Sequence, residues 1–287
     1  MGGVLTRALR FLLLASLLLT QPTVAWETQG PYPFGVLNQR SVTLTAEYWN
    51  PILAYVHKKT GVPLTLRIAR SAKETTDMAT QGELAFVYSN HLFTPERAKL
   101  GFKVLARQEG EGIRGQIVVT PDSAARNLED LAGKSVAFAN PYGFAGYFVP
   151  YDALLKAGVT VEPVFASTQE AGMGQLKHGR VAAAGVNSQI MADFARREGF
   201  AYRTLFSSEP YFDLAVMAHP RVPESAANAV QKALIEMQND PDGRNILATS
   251  AQLLKLLKPR GFVFASDRDY DNYRAFFRRT RVPLDGQ

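Results

Sequence analysis

Short apolar segments and helical patterns alternate along most of the chain. An apolar run at residues 32–37 precedes apolar residues at helical spacing from Leu44 to Val56, and Gly61 marks the expected helix end. Pro51 inside this pattern predicts a kink or a later helix start. Further strands, with helices between several of them, are predicted at 63–69, 84–88, 102–106, 116–120, 135–139, 161–165 and 181–186. The alternation predicts an α/β protein whose largely parallel sheet is covered by helices on both faces.

Two sections of the chain repeat one order of elements. Residues 34–38 and 136–140 both read as a strand that ends in Asn ahead of a helix, and 81–85 and 178–182 both read as a helix end, Gly, a polar residue and a buried strand. The nearly equal offsets of these pairs predict two similar lobes. We place the first lobe at residues 26–113 and 214–287 and the second at 114–213. The helical stretches after residue 223 must pack on an existing lobe.

Three glycines, Gly110, Gly112 and Gly115, have the GxGxxG spacing of dinucleotide-binding loops. Such a loop must open a helix, whose N-terminus receives the phosphate. Here an apolar strand follows instead, so we reject nucleotide binding. Glycines between two strands suit a hinge crossing between the lobes, and Phe212 and Asp213 are expected near the second crossing.

The first 25 residues have the features of an export signal. Arg7 and Arg10 precede an apolar run at 11–19, and small residues lead up to Ala25. A membrane-spanning helix needs about 20 apolar residues, which makes an uncleaved anchor the less favoured alternative. We therefore expect cleavage near Ala25 and an exported protein that begins near Trp26.

Composition narrows the chemistry further. The 287 residues carry a formal net charge of +6, are 46% hydrophobic and include no cysteine. Disulfides, thiolate metal sites, cysteine nucleophiles and lipidated cysteine anchors are therefore excluded. The basic residues are spread along the chain, which argues against a nucleic-acid partner. The four histidines show no metal-binding spacing and no local catalytic motif is present, so we expect no enzymatic activity, no metal and no cofactor.

Polar residues follow several predicted strands at their carboxyl ends, where open α/β sheets bind ligands. In the stretch 140–148 a strand ends, Pro and Gly residues follow, and a helix begins near Ala145, so backbone N–H groups could face an anion. The alternatives are an ordinary turn with its aromatic residues in the core, and, for Asn90 and His91, a helix cap and a surface residue. The candidate ligand-binding residues are Asn38, Arg40, Tyr88, Asn90 and His91 in the first lobe, and Tyr142, Gly143, Phe144, Ala145 and Asn187 in the second.

Several spaced motifs carry a family likeness. The segments 34–37, 49–56, 60–62, 122–123 and 128–138 resemble those of the periplasmic phosphonate-binding proteins of ABC importers. This resemblance implies a type II periplasmic binding fold, in which two α/β lobes joined by hinge strands close on a ligand. It also implies delivery of the ligand to an inner-membrane ABC permease.

The chain departs from this family at the anion loop. In the phosphonate binders the loop matching residues 143–146 carries Ser-Thr-Ser before the glycine, and those hydroxyls hold the phosphonate oxygens. Phe144 and Ala145 supply no hydroxyl, and each lost charge-assisted hydrogen bond costs about 1.5–3 kcal/mol. The family's aminoalkyl specialists place an acid near the position of Asn187, so 2-aminoethylphosphonate is not the expected ligand.

The expected function is that of a periplasmic solute-binding component of an ABC importer. We expect a monomeric protein that captures a small oxyanion, or an organic anion whose apolar part stacks on Tyr142, Phe144 or Tyr147, in the cleft between the lobes. One alternative is a sensor that presents its bound form to a membrane sensor kinase. Another is an exported enzyme with paired acids near the crossings, although solvated hinge-loop charges are the favoured explanation of these acids. They are Glu109, Glu111, Glu209 and Asp213.

Overall fold

The computed structural model describes residues 31–37 and 41–284. The expected export signal, Asn38 and Arg40 lie outside the described residues. The strands are β1 (Tyr32–Val36), β2 (Leu64–Arg67), β3 (Phe86–Ser89), β4 (Lys103–Gln108), β5 (Gly115–Val119), β6 (Ser135–Phe138), β7 (Glu162–Phe165), β8 (Ala183–Asn187), β9 (Arg203–Ser207), β10 (Ala215–Ala218) and β11 (Phe262–Phe264). The α-helices are α1 (Val42–Thr60), α2 (Ala72–Thr80), α3 (Pro95–Ala98), α4 (Val149–Lys156), α5 (Gln169–Lys177), α6 (Ser188–Glu198), α7 (Glu224–Glu236), α8 (Pro241–Leu253) and α9 (Asp271–Arg279).

The strands form two separate mixed sheets. The first has the order β11-β4-β10-β3-β1-β2 and the second the order β7-β6-β8-β5-β9. We call each sheet with the helices packed on it a lobe. The strands of the first sheet come from both ends of the chain and those of the second from its middle; the exact lobe boundaries remain a prediction.

The expectation of largely parallel sheets is wrong. β1 pairs in parallel with β2 and β3, and β6 with β7 and β8, but β10 and β5 run antiparallel to their partners. The reason is the path between the lobes. β10 and β5 each begin where the chain enters a lobe from a crossing. Their neighbouring strands end at the same edge of the sheet, so β10 and β5 run antiparallel to them.

Helix α1 shows why Pro51 did not delay the helix start. The helix begins after Ser41, whose Oγ accepts a hydrogen bond from the Leu44 N–H at 3.3 Å. Pro51 lies inside the helix on its exposed side. The carbonyl that lacks a helical partner is that of Glu47, one turn earlier on the same exposed side, where water can hydrate it.

Each sheet has a hydrophobic core on both faces, as predicted. In the first lobe α1 and α7 pack on one face through residues such as Trp49 and Leu234, whereas Phe93 and Tyr270 cover the other. In the second lobe the two cores lie beneath α4 and beneath α5 and α6. Among the described residues, no helix has the length and apolar character needed to cross a bilayer.

Two chain crossings join the lobes, one between β4 and β5 and one between β9 and β10. They are hydrogen-bonded to each other, because Ile113 N–H donates to the Tyr211 carbonyl at 2.7 Å and Tyr211 N–H donates to the Ile113 carbonyl at 2.8 Å. Gly112 has φ +94°, and a Cβ there would lie 2.7 Å from the Tyr211 oxygen. The crossing therefore requires glycine. Strand β5 follows this glycine turn directly, so the turn does not open a helix as a dinucleotide-binding loop would.

Candidate functional site

A cavity lies at the crossings, between the two lobes. It is small and partly open to solvent. The wall residues come from the end of β4, from both crossings, from the start of α6 and from the loop before β11. They are Arg107, Gln108, Glu109, Gly110, Gly112, Gln189, Phe212, Asp213, Leu214 and Arg260.

Arg107 links this cavity to the crossings. Its guanidinium carbon lies 3.7 Å from the centroid of the Phe212 ring, a cation–π contact. Nη1 donates to the carbonyl oxygens of Gln108 at 3.0 Å and Gly110 at 3.3 Å. Nε is buried and has no hydrogen-bond partner. The side chain is therefore fixed in position and has one buried N–H donor that is not used within the described residues.

Gln189 of the second lobe connects the two sides of the cavity. Its Nε2 donates to the Gly112 carbonyl at 3.2 Å, and its Oε1 accepts from Arg260 Nη1 at 3.4 Å. Arg260 precedes β11 of the first lobe, so this hydrogen bond spans the lobes. Arg107 and Arg260 bring two positive charges to a cavity that Glu109 and Asp213 also line.

Asn90, one of the first-lobe candidates, is buried and does not cap the following turn with its side chain. Its Nδ2 donates to the Tyr273 hydroxyl at 3.4 Å, and that hydroxyl donates to the Phe212 carbonyl at 2.5 Å. Burial and the nearby Asp213 raise the pKa of Tyr273, which keeps its hydroxyl protonated. Asn90 thus supports the second crossing through one tyrosine.

Tyr88 and His91 are both engaged with the protein. The Tyr88 ring packs 4.8 Å from that of Trp49. His91 is half-buried, with Nδ1 paired to Thr76 Oγ1 at 3.0 Å. Burial, and secondarily the charge of Arg97, lower the pKa of His91 to about 3. His91 is therefore neutral at physiological pH and brings no positive charge to an anion.

The turn between β6 and α4 provides fewer donors than expected. Asn140 Oδ1 accepts the Tyr142 N–H at 2.9 Å, so this donor is already used. A wide π-helical turn (Phe144–Phe148) follows, in which the Gly143 carbonyl accepts from Tyr147 and Phe148. Tyr142 and Gly143 remain half-exposed.

The Phe144 ring is enclosed by aromatic side chains and is 4% exposed, and Ala145 beside it is also buried. Tyr273 stacks on the ring at 4.0 Å between centroids, and three further rings contact it: Tyr211 at 4.8 Å, Phe276 at 5.1 Å and Phe277 at 5.5 Å. Tyr147 stacks on Tyr151 within the second lobe. In this conformation Phe144 has no free face for a ligand, so the expected stacking on its ring is not available.

Asn187 caps α6. Its Oδ1 accepts from the N–H groups of Gln189 at 2.9 Å and Ile190 at 3.4 Å, and its own N–H donates to Gln169 Oε1 at 2.7 Å. The cap fixes the start of α6 and with it the position of Gln189. Asn187 therefore lies two residues before Gln189 of the cavity wall and does not line the cavity itself.

None of the described candidates is part of the cavity wall, although Asn187 contacts Gln189 of the wall directly and Asn90 is linked to Phe212 of the wall through Tyr273. Sequence reasoning placed Phe212, Asp213 and Glu109 near the crossings but missed Arg107, Gln189 and Arg260 as cavity residues. Arg107 lies at the end of strand β4 and Gln189 at the start of helix α6. Both positions fit the rule used to choose the other candidates, which is that polar residues where strands end can bind a ligand. Arg260 lies in a loop that carries no comparable signal.

Two α/β lobes, two hydrogen-bonded crossings and a cavity between the lobes define a type II periplasmic binding protein. Solved structures agree with this fold. PhnD1 from Prochlorococcus marinus in complex with methylphosphonate is 15% identical, with a TM-score of 0.69 over 86% of this chain and 97% of that one. A binding protein component of an ABC phosphonate transporter from Pseudomonas aeruginosa is 15% identical, with a TM-score of 0.68 over 86% and 85%. The aliphatic sulphonate binding protein SsuA from Escherichia coli is 12% identical, with a TM-score of 0.58 over 86% and 90%.

Residues 34–270 match the family described as ABC transporter, phosphonate, periplasmic substrate-binding protein. The chain belongs to this family, which confirms the resemblance seen in the sequence. No curated protein sequence matches the chain. Membership identifies a substrate-binding component of an ABC transporter and favours transport over the sensing alternative.

Proposed function

We propose that the protein is exported to the periplasm and captures a small oxyanion, phosphonate-like or phosphate-like, in the cavity between its lobes for delivery to an ABC permease. The observation that carries this proposal is the pair of guanidinium groups, Arg107 and Arg260, at a cavity whose walls belong to both lobes. Guanidinium groups match the geometry of tetrahedral oxyanions. Contacts to both lobes give such a ligand a means of favouring one lobe arrangement.

The remaining wall residues suggest which anions fit. Gln189 can donate a neutral hydrogen bond, and Phe212 offers an apolar surface beside Arg107. Glu109 and Asp213 can accept a hydrogen bond from a protonated oxygen, and they disfavour a highly charged guest. We therefore propose a singly charged oxyanion with a small apolar substituent.

Two of the residues that the sequence analysis selected, Asn90 and Asn187, position residues of the cavity wall in this proposal. Asn187 positions Gln189 through the α6 cap, and Asn90 positions Phe212 through Tyr273. Tyr142 and Gly143 remain candidates for ligand contact because they are half-exposed. We assign no catalytic residue, and the monomeric state and cleavage near Ala25 remain predictions.

Isothermal titration calorimetry with methylphosphonate, inorganic phosphate, phosphite, sulfate and methanesulfonate tests the proposal. Arg260→Gln should weaken binding of the best anion about 10- to 100-fold, the equivalent of one charge-assisted hydrogen bond. Arg244→Gln is the matched control, because Arg244 is exposed on α8 and donates to the Asn239 carbonyl, away from the cavity wall. Lack of binding at millimolar concentrations for every anion, or equal affinity of the two variants, would contradict the proposal.

A further inference from the structure

The C-terminal helix α9 is attached to the first lobe. Just before it, the Tyr270 ring stacks on Phe93 of that lobe at 4.6 Å between centroids, and Tyr273 contacts the same ring at 5.3 Å. Arg274 of α9 forms an ion pair with Asp267 at 2.6 Å, and its guanidinium lies 5.1 Å from the Phe93 ring. These contacts make α9 part of the first lobe's core.

The same helix also packs on the second lobe. Phe144, at the start of the π-helical turn, inserts its ring among Tyr273, Phe276 and Phe277 of α9. Phe148, one turn later, contacts Phe277 at 5.5 Å. One continuous buried cluster therefore contains side chains from both lobes.

A polar contact extends the attachment beyond α9. Asp152 of α4 is 3% exposed, and its Oδ1 accepts from Thr280 Oγ1 at 2.9 Å and from the Arg281 N–H at 2.7 Å. Its Oδ2 pairs with Lys156 at 2.6 Å. Arg281 Nη1 also donates to the Leu155 carbonyl at 3.1 Å. A buried carboxylate without these donors is costly, so the tail is held firmly on the second lobe.

We propose that α9 and residues 280–284 form an inter-lobe clamp that holds the two lobes in the arrangement of this structure without any ligand. Two crossings alone permit rotation of one lobe against the other. Rotation here would pull Phe144 out of its aromatic cage or remove the Asp152 donors. The clamp resists both, because exposing a buried aromatic ring and leaving a buried carboxylate unpaired each cost free energy.

Distance measurement on the ligand-free protein tests the clamp. Since the chain contains no cysteine, Ala54→Cys on α1 and Ala192→Cys on α6 place two spin labels on exposed sites of opposite lobes. Double electron–electron resonance should give one narrow distance distribution. Phe144→Ala should add a second population, at least about tenfold above its level in the parent.

Phe194→Ala is the matched control. Phe194 is equally buried in the second lobe, and its ring contacts are Phe200 and Arg197 of the same lobe. The control should lower stability and leave the distance distribution unchanged. If Phe144→Ala does not fold, as judged by circular dichroism, Thr280→Val replaces it, and a smaller second population is expected.

Several results would overturn the clamp. These are a broad or double distribution in the parent, the same distribution for Phe144→Ala and Phe194→Ala, or, where only Thr280→Val folds, no change in that variant. Because no ligand is added, these outcomes are independent of whether the proposed anion binds.

Discussion

Gly112→Ala tests whether the first crossing has the backbone geometry described here. The φ of +94° is strained for any residue with a side chain, at about 1–3 kcal/mol. The added Cβ would also lie 2.7 Å from the Tyr211 carbonyl oxygen, well inside van der Waals contact. Relief requires a backbone shift that weakens the Ile113–Tyr211 hydrogen bonds, worth about 1 kcal/mol each. We expect a loss of about 2–4 kcal/mol in the free energy of unfolding.

Urea denaturation followed by circular dichroism measures this loss, with Gly174→Ala as the control. Gly174 lies inside α5, and a Cβ there would meet no atom within 4 Å. Alanine is the better helix former, so the control should gain about 0.5–1 kcal/mol. The two substitutions should thus act in opposite directions. A Gly112→Ala protein within about 0.5 kcal/mol of the parent would refute the geometry of the crossing.

Two further predictions concern the sequence candidates His91 and Asn187. The pKa of His91 is about 3 in the folded state and 6.5 ordinarily. As the pH falls, His91 is therefore protonated in the unfolded chain before it is protonated in the folded one. The stability linked to neutral His91 is therefore present above pH 6.5 and is lost as the pH falls, by about 2 kcal/mol at pH 5; an NMR titration of His91 with a midpoint near 6.5 would disprove this. Asn187→Ala should cost about 1 kcal/mol in thermal denaturation because it removes the α6 cap, whereas Asn187→Asp, which also caps well, should stay within about 0.5 kcal/mol. Equal losses for both substitutions would mean that the amide Nδ2, and not the cap, stabilises the fold.

The alternation of apolar runs and helical spacing was enough to predict the α/β class and the two lobes. It worked because the buried strands are short and the helices carry clear stop signals. Gly82 and Gly179, chosen as the repeated helix ends, both adopt positive φ, 74° and 66°. In each lobe the buried strand that follows is next to the strand that begins the repeat, since β3 pairs with β1 and β8 with β6.

Strand direction could not be read from the same pattern. β10 (Ala215–Ala218) is four residues long and fully buried, so it shows no alternation, and its neighbours decide its direction. β11 (Phe262–Phe264) is a three-residue edge strand whose last side chain is exposed. Both form because strands distant in sequence hold them, which is information absent from a local window.

The turn at 140–148 shows the limit of inference about a site. Sequence alone placed Phe144 at a strand end, where a ligand or the core could cover its ring, and both alternatives were open. The choice is made by α9, more than 120 residues later, whose Tyr273, Phe276 and Phe277 surround the ring. A helix at that distance leaves no mark on the local pattern.

The cavity, the hinge and the clamp share residues, which gives lobe orientation and anion capture a physical connection. Tyr273 stacks on Phe144 in the clamp and donates to the Phe212 carbonyl in the second crossing. The Phe212 ring in turn makes a cation–π contact with the Arg107 guanidinium at the cavity wall. A guest that displaces Arg107 therefore acts on the crossing that Tyr273 holds, and a change in the clamp acts on the position of Arg107. By linkage, any preference of the guest for one lobe arrangement must appear as an equal effect of that arrangement on the guest's affinity.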